Sequence, residues 1–283
     1  MNRQKSFINN QPTLYVVATP IGNLEDMTYR AVNILQSVNV IFCEDTRVSG
    51  KLLKHYDIKK PLKMYHDFNK EIQSKEIISH LDKQEMVALI SDAGMPLISD
   101  PGYYVIREVI ERGYNVVSIP GASALLTALT VSGIAPHPFL FYGFLDAKVT
   151  KREKQLEALK MYPETVVFYE SPHRILKTIQ SLYTVFGERE LVLARELTKK
   201  FEEIIRGTTS SLIDLEDIKG EMVLVVSGYH EEHLPSDLSM LEEVEQLIAA
   251  GETSKDAIKQ VAKNRNVPKN DVYIAYHQQP IKE

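Results

Sequence analysis

The sequence contains a single cysteine, Cys43, so it can form neither an intramolecular disulfide nor a zinc site made of cysteines. It has no apolar run close to the ~18 residues that a membrane-spanning helix needs. The N-terminal segment MNRQKSFINNQP is polar and lacks the apolar core of a secretory signal. These absences favour a protein of a bacterial-type cytoplasm.

Several ligand-binding signatures are also missing. No G-x-G-x-x-G motif follows the first predicted strand, which disfavours a nicotinamide-dependent dehydrogenase. The eight histidines form no ligand-spaced cluster with cysteine or acidic residues, so we expect no bound metal. The formal net charge of −5 is unlike the basic footprint of a nucleic-acid-binding protein, although a total charge does not show how charges are distributed.

What the chain does contain is an alternation of short β-branched runs with amphipathic stretches. Its 283 residues suffice for two domains of ordinary size. The runs of the first half are almost continuously apolar, which is typical of strands buried on both faces of a parallel sheet. Predicted strands cover residues 14–19, 39–44, 61–65, 86–91 and 115–120, and predicted helices cover 28–38, 47–56, 70–83 and 103–112. We therefore predict an α/β domain with a parallel sheet over residues 1–132.

A second series of strands follows, with fewer helices between the last three. These strands are predicted at residues 139–144, 165–170, 190–196, 201–207 and 222–228. We predict a second α/β domain with a mixed, partly antiparallel sheet over residues 133–230. The segment SGIAPHP (132–138), with one Gly and two Pro, is the candidate hinge between the domains.

The C-terminal part is predicted to be a small helical unit at residues 238–283, after a polar linker at 230–239. Its helices are predicted at residues 238–250, 254–263 and 268–277, with helix-turn-helix-like spacing and with Ser254 as a helix cap. A cap on the second domain and an RNA-contacting element are equally compatible with this pattern.

Four segments with ligand-binding character follow predicted strands of the first domain. They are TPIGNLED (19–26), CEDTR (43–47), SDAGMPLISDPG (91–102) and PGASA (120–124). In α/β sheets, ligands bind beyond the carboxyl ends of the strands. The third segment is longer than a usual βα loop of ~2–6 residues and predicts a sharply bent loop that exposes its backbone. The small residues of the fourth segment are compatible with an adenosine lying against the backbone, and also with tight helix–sheet packing.

Three more segments complete a recognisable set: YESPHR (169–174), RELTKKFEE (195–203) and KGE (219–221). In order, the seven segments resemble the signature motifs of the small-subunit (16S) ribosomal RNA cytidine 2'-O-ribose methyltransferases, within the tetrapyrrole methylase superfamily. The resemblance extends from about residue 14 to residue 228. It implies two α/β domains with S-adenosylmethionine between them, a homodimer, and methylation of a decoding-region cytidine.

By motif position, the resemblance also implies which residues contact the cofactor. They are Pro20, Ser91, Asp92, Gly94, Met95, Pro96, Ile98, Ser123, Ala124, Tyr169, Gly207 and Met222. Two positions depart from the family pattern. Met95 stands where similar proteins usually have Thr, which removes a hydroxyl that could bind the cofactor. GFLDAK (143–148) replaces the usual GFLP and basic residue, and Asp146 disfavours a phosphate contact there.

A ribose 2'-hydroxyl is a poor nucleophile at neutral pH and benefits from a group that takes its proton. The candidate bases on these motifs are Glu170, Asp100, Glu44, Asp45 and Glu196, and our hypothesis puts the first two ahead. Each is equally compatible with a structural role, paired with a nearby arginine. The candidate phosphate-contacting residues are Arg47, Arg174, Arg195, Lys199 and Lys200. Tyr65 and His66 are compatible with stacking on a flipped base or with a buried pair.

Two other functions remain open from the sequence. A tetrapyrrole-precursor methyltransferase usually carries G-G-D-P where this chain has AGMP (93–96). A non-catalytic RNA-binding assembly protein is favoured by Met95 alone, and calorimetry with the cofactor separates that possibility from an enzyme.

Overall fold

The computed structural model describes residues 3–6, 8, 11–66, 69–216, 218–230, 238–265 and 267–277. The chain forms two compact units, Met1–Tyr229 and His230–Glu283. Among the described residues, no helix is long and apolar enough to span a membrane. The larger unit contains two five-stranded sheets.

The first sheet is entirely parallel, with the strand order β3-β2-β4-β1-β5. Its strands are β1 (Thr13–Val17), β2 (Val40–Cys43), β3 (Leu62–Met64), β4 (Val87–Ile90) and β5 (Asn115–Ile119). Its helices are α1 (Tyr29–Ser37), α2 (Thr46–His55), α3 (Lys70–Asp82) and α4 (Tyr103–Glu111). The first two helices pack on one face and the other two on the opposite face. Every residue of β2 and β4 is buried, as their continuous apolar sequence predicts.

The second sheet is mixed, with the order β6-β7-β10-β8-β9. Its strands are β6 (Phe139–Phe144), β7 (Thr165–Glu170), β8 (Glu190–Arg195), β9 (Glu203–Thr208) and β10 (Met222–Val226). The β6–β7 pair is parallel, and the other three pairs are antiparallel. The predicted fold class, a parallel-sheet α/β domain and a mixed-sheet α/β domain, is confirmed.

Helices cover both faces of the second sheet. One face packs against α6 (Val149–Glu157) and α7 (Ile175–Phe186). The other face packs against α5 (Ala124–Ser132), whose Ala128 and Leu129 are buried in one cluster with valines of β7, β8 and β10. Because α5 directly follows the first sheet in the chain but packs on the second, it connects the two. The predicted domain limits at 132 and 133 and the hinge at 132–138 stay predictions.

The smaller unit contains three helices, α8 (Met240–Ala249), α9 (Ser254–Asn264) and α10 (Lys269–His277). They share a core that includes Val244, Ala257 and Val272. The helix cap predicted at Ser254 is wrong by one residue: the Thr253 side chain accepts the Asp256 amide, and α9 begins at the next residue. Most of the predicted linker at 230–239, and the chain after residue 277, lie outside the described residues.

Leu129→Ala should lower the free energy of unfolding by about 2–5 kcal/mol, because a buried leucine then leaves a cavity between α5 and the second sheet. Leu129 is 4% exposed, whereas Leu126 on the same helix is 51% exposed. The control Leu126→Ala should change the unfolding free energy by less than ~0.5 kcal/mol. Urea unfolding followed by circular dichroism measures both, and equal losses would contradict this packing of α5.

Candidate functional site

The site begins where the loops after β1 and β4 are joined. The Thr19 amide donates to the Gly94 carbonyl at 2.8 Å, and the Gly94 amide donates back to the Thr19 carbonyl at 3.0 Å. The Thr19 hydroxyl also donates to the Ser91 carbonyl at 3.1 Å. These bonds hold the segments 19–26 and 91–102 together at the carboxyl edge of the first sheet, where ligands bind in such folds.

The long loop at 91–102 is sharply bent, as its sequence predicts. Four of its residues have left-handed backbone, with φ of 79° at Gly94, 74° at Leu97, 69° at Ser99 and 143° at Gly102. Left-handed backbone costs of order 1–3 kcal/mol at a residue other than Gly, and such strain is concentrated at functional sites. Leu97 and Ser99 therefore mark this loop as a segment held in shape by its surroundings.

A close approach between backbones shapes the neighbouring segment PGASA. A Cβ atom added at Gly121 would lie 2.8 Å from the Cβ of Ala18, which directly follows β1. Because only glycine fits there, the chain can turn tightly into α5. The small residues Ser123 and Ala124 then lie at the start of that helix.

A cavity of about 270 Å³ lies between the two sheets. The long loop and the start of α5 form one side, and residues of β7 and β10 with the segment after β8 form the other. The predicted cofactor-binding residues that line it are Gly94, Met95, Ile98, Ser123, Ala124, Tyr169 and Met222. Two predicted bases, Asp100 and Glu170, also line it. Segments that are distant in the sequence therefore meet in one cavity.

The other predicted cofactor residues lie outside this lining: Pro20, Ser91, Asp92, Pro96 and Gly207. Asp92 accepts the Asp45 amide at 3.1 Å, so it ties the long loop to the start of α2. Gly207 lies in β9, where the side chains of Ser211 and Leu212 fill the space beside its Cα. Each of these assignments stays a prediction.

Sequence reasoning missed seven lining residues: Ile21, Ala93, Ser99, Phe144, Leu197, Glu221 and Val223. All of them adjoin predicted motif residues in the sequence. Except for Glu221, these residues have hydrophobic or small side chains, which give no indication of a binding or catalytic role in the sequence. Only the approach of the two sheets shows that their side chains face a common space.

Asp100 lines the cavity, and the pKa of its carboxyl is raised. Burial raises the pKa of its carboxyl to about 6, and the negative charge of Glu44 adds to the effect. A hydrogen bond with the Ser91 side chain opposes the shift. A carboxylate with a pKa near the working pH is suited to general-base catalysis.

Glu170 lines the same cavity, but its carboxylate is occupied by other groups. Oε1 accepts the Ser171 amide at 2.7 Å and both Nε and Nη2 of Arg174, at 2.9 and 2.7 Å. Oε2 accepts the Thr178 hydroxyl at 2.6 Å. With its side chain 1% exposed, Glu170 is a buried, hydrogen-bonded carboxylate that holds the start of α7 against β7.

The remaining predicted bases have different surroundings. Asp45 caps α2, and hydrogen bonds from Arg47 lower the pKa of its carboxyl to about 2. The pKa of Glu196 is also lowered, first by the backbone amide of Glu221 and further by Lys199. Both carboxylates are poorer proton acceptors than Asp100. Glu44 contributes its negative charge to the pKa of Asp100.

Most of the predicted phosphate-contacting residues are paired within the chain. Arg174 binds Glu170, Arg195 binds Glu203 at 2.5 Å, and Lys199 binds both Glu196 and Glu221 at 3.0 and 2.9 Å. Arg47 pairs with Asp45, but its side chain is 87% exposed. Lys200 is exposed, with its ammonium 5.7 Å from the centre of the Phe201 ring. Two of the five side chains are therefore open to a phosphate.

Three further predicted residues have distinct positions. The Tyr169 hydroxyl accepts the Leu125 amide at 3.2 Å, which fixes the tyrosine against the start of α5. The Met95 sulfur accepts a long hydrogen bond of 3.9 Å from the Ser118 hydroxyl. Tyr65 is 1% exposed in the core beneath α3 and α4, so it is a buried residue and not a free stacking platform.

The family model for Tetrapyrrole (Corrin/Porphyrin) Methylases matches residues 13–213. The Ribosomal RNA small subunit methyltransferase I of Bacillus subtilis (strain 168) is 48% identical, with 98% of this chain and 99% of the relative covered. The protein of the same name from Halalkalibacterium halodurans is 45% identical, with 99% and 100% covered.

Solved structures share the fold at low sequence identity. A diphthine synthase matches with a TM-score of 0.61 and 14% identity, covering 77% of this chain and 90% of that one. Uroporphyrin-III-C-methyltransferase from Thermus thermophilus matches with a TM-score of 0.57 and 20% identity, covering 77% and 94%. The motif resemblance is thus confirmed by sequence and by fold: this chain belongs to the tetrapyrrole (corrin/porphyrin) methylase family.

Proposed function

We propose that this chain transfers the methyl group of S-adenosylmethionine to the 2'-hydroxyl of a cytidine ribose in 16S ribosomal RNA. The observation that carries the proposal is the position of Asp100, whose carboxyl has a pKa of about 6 and lines the cavity between the two sheets. Nearly full-length relatives that are named ribosomal RNA methyltransferases support the acceptor. The cytidine and the 2'-position rest on the motif resemblance.

The residues of the cavity fit S-adenosylmethionine. Its volume, about 270 Å³, is just below the ~300–1,000 Å³ range of small-molecule sites. Small and apolar side chains at Ala124 and Ile98 suit an adenosine. Asp100, Glu170 and Glu221 line the same space, and the last two carboxylates are paired within the chain with Arg174 and Lys199.

When bound, S-adenosylmethionine supplies an electrophilic methyl group on a positively charged sulfur. Asp100 would accept the proton of the 2'-hydroxyl as the methyl group is transferred to that oxygen, with S-adenosylhomocysteine as the leaving group. Glu170 is a positioning residue in this proposal, because its oxygens already accept hydrogen bonds from Arg174, Ser171 and Thr178. Tyr169 orients the start of α5 through its bond to Leu125.

The proposal includes two further assignments, of which the motif resemblance implies the first, and the absence of a secretory signal and of a long apolar run in the sequence favours the second, a cytoplasmic location. The first is a homodimer. Methylation of a tetrapyrrole precursor is less supported, because the solved uroporphyrin-III-C-methyltransferase shares only 20% identity with this chain.

Asp100→Asn should lower turnover by roughly 10²–10⁴-fold, since an amide cannot take the proton of the nucleophile. The affinity for S-adenosylmethionine should change little, because the amide keeps the shape of the side chain. Single-turnover methylation and calorimetry measure the two effects separately. The control Asp214→Asn alters an exposed carboxylate and should leave both unchanged. Unchanged turnover, or a loss of turnover that is explained entirely by loss of cofactor binding, would refute the role of Asp100 as the base.

The rate should rise with pH through about 6 and then level off, because Asp100 must be ionised to accept a proton. Below that pH the carboxyl is protonated and the active fraction falls tenfold with each pH unit. Profiles of kcat/KM for the unaltered enzyme and for Asp100→Asn test this. A profile of the unaltered enzyme that is flat through this range, or the same limb in both proteins, would assign the proton transfer to another group.

The acceptor is tested with labelled S-adenosylmethionine and small ribosomal subunits purified from cells that lack this protein. Nuclease digestion and mass spectrometry should map the label to one 2'-O-methylcytidine in the 16S RNA. The tetrapyrrole precursor uroporphyrinogen III serves as the competing acceptor and should remain unlabelled. Label in the tetrapyrrole but not in the RNA would contradict the proposed acceptor.

A further inference from the structure

The segment 46–63, which contains α2 and leads into β3, has a charge opposite to that of the chain. It carries six Lys or Arg residues and one Asp, which leaves five positive charges in a chain of net charge −5. The helix α2 itself has no acidic residue. The distribution of charge along the chain is therefore uneven, and this segment is strongly basic.

The basic side chains of α2 share one face. Arg47, Lys51, Lys54 and His55 are spaced four, three and one residues apart, so they lie on one side of the helix. All four are exposed, whereas Ser49 and Leu53, on the opposite side, are buried. This basic face is a solvent-facing surface.

Arg47 pairs with Asp45 and Lys63 with Glu76, whereas the other cations of the segment have little internal compensation. Among the described residues, no carboxylate lies within ion-pair distance of the ammonium groups of Lys51, Lys54 or Lys60. Lys59 pairs with Asp57, but both side chains are more than 80% exposed, at 86% and 84%. An exposed pair of this kind contributes little and does not prevent a phosphate from binding. By contrast, Arg174 and Lys199 form ion pairs with carboxylates of the same chain.

Favourable interaction with the helix dipole explains only part of the pattern. It favours cations in the last turn of α2, where Lys54 and His55 lie. It does not account for Lys51 in the middle of the helix, or for Lys59 and Lys60 after its end. A like-charged cluster of this size favours an anionic partner that relieves its repulsion.

The end of α2 and the start of β3 also form a groove of about 380 Å³. Lys54, Lys59 and Lys60 line it, together with Asp57 (which pairs with Lys59), Gly50 and the apolar residues Leu53, Ile58 and Leu62. A concave surface with several cations and an apolar floor suits a phosphate–sugar backbone.

The basic face starts next to the candidate active site. The Asp45 amide, at the cap of α2, donates to Asp92 in the long loop at 3.1 Å. From there the 10 residues of α2 extend for about 15 Å, at ~1.5 Å per residue. That length corresponds to roughly four nucleotides at ~3.4 Å each. A strand with one nucleotide in the cavity can therefore continue along this face.

We propose that Lys51, Lys54, Lys59 and Lys60 form a docking surface for the phosphate backbone of the substrate RNA. The proposal rests on the proposed function and extends it, because it assigns RNA binding to a surface other than the internally paired arginines of the motifs. An acidic protein of the ribosomal subunit is the competing partner for the same charges.

The test uses the full-length protein with Lys51, Lys54 and Lys60 all changed to Gln. The probe is a 16S ribosomal RNA transcript, with binding measured between about 50 and 200 mM salt. We expect about tenfold or greater loss of affinity and a salt slope smaller by about 2 to 3, because three phosphate contacts are lost. The affinity for S-adenosylmethionine should be unchanged, and thermal unfolding checks that the variant is folded.

A matched control changes Lys75, Lys83 and Lys160, three exposed lysines elsewhere on the chain, to Gln and should bind RNA like the unaltered protein. Equal affinity and equal salt slope for the Lys51, Lys54 and Lys60 variant would overturn the docking surface while the proposed function stands. If the unaltered protein neither binds nor methylates RNA, both fall. Loss of affinity for assembled subunits but not for the transcript would assign the surface to a protein partner and overturn the RNA proposal.

Discussion

Two backbone hydrogen bonds between Thr19 and Gly94 fix the relative positions of the two loops on which the rest of the site depends. They join the loops after neighbouring parallel strands, so the long loop cannot extend into solvent and instead bends over the strand ends. Left-handed backbone at Leu97 and Ser99 becomes tolerable because both ends of the loop are fixed. The second sheet then completes the cavity through α5, which starts at the first sheet and packs on the second.

Within that cavity, the surroundings assign different roles to chemically similar groups. Asp100 and Glu170 line the same space, but burial beside Glu44 raises the pKa of the first. Arg174 and the Thr178 hydroxyl occupy the oxygens of the second. The same logic applies to the cations. Those in the signature motifs are largely paired within the chain, whereas the lysines of α2 face solvent without compensating acids. In the proposed function, proton transfer and RNA binding therefore belong to charged groups that, among the described residues, form no ion pair with a residue of the signature motifs.

The sequence predicted much of the fold because its signals are local. Continuous apolar runs identified the buried strands β2 and β4, and the scarcity of helices after residue 190 indicated an antiparallel second half. The residues that line the cavity were less predictable, because they come from segments that are far apart in the sequence and meet only in the folded chain. In the sequence, Leu197 and Val223 are indistinguishable from ordinary core residues, and only the folded structure shows that they line the cavity. Likewise, the pairing of Arg195 with Glu203 follows from the register of β8 and β9, which no spacing rule specified.

The central claim is that the cavity between the two sheets holds S-adenosylmethionine, and titration calorimetry on a variant that fills it tests this most directly. Ala124 lines the cavity at the start of α5, so Ala124→Phe should abolish binding of the cofactor in a protein that remains folded. Ala158→Phe, at the exposed end of α6, should bind like the unaltered chain. Undiminished binding by the Ala124 variant would contradict the account, because the cofactor would then lie elsewhere.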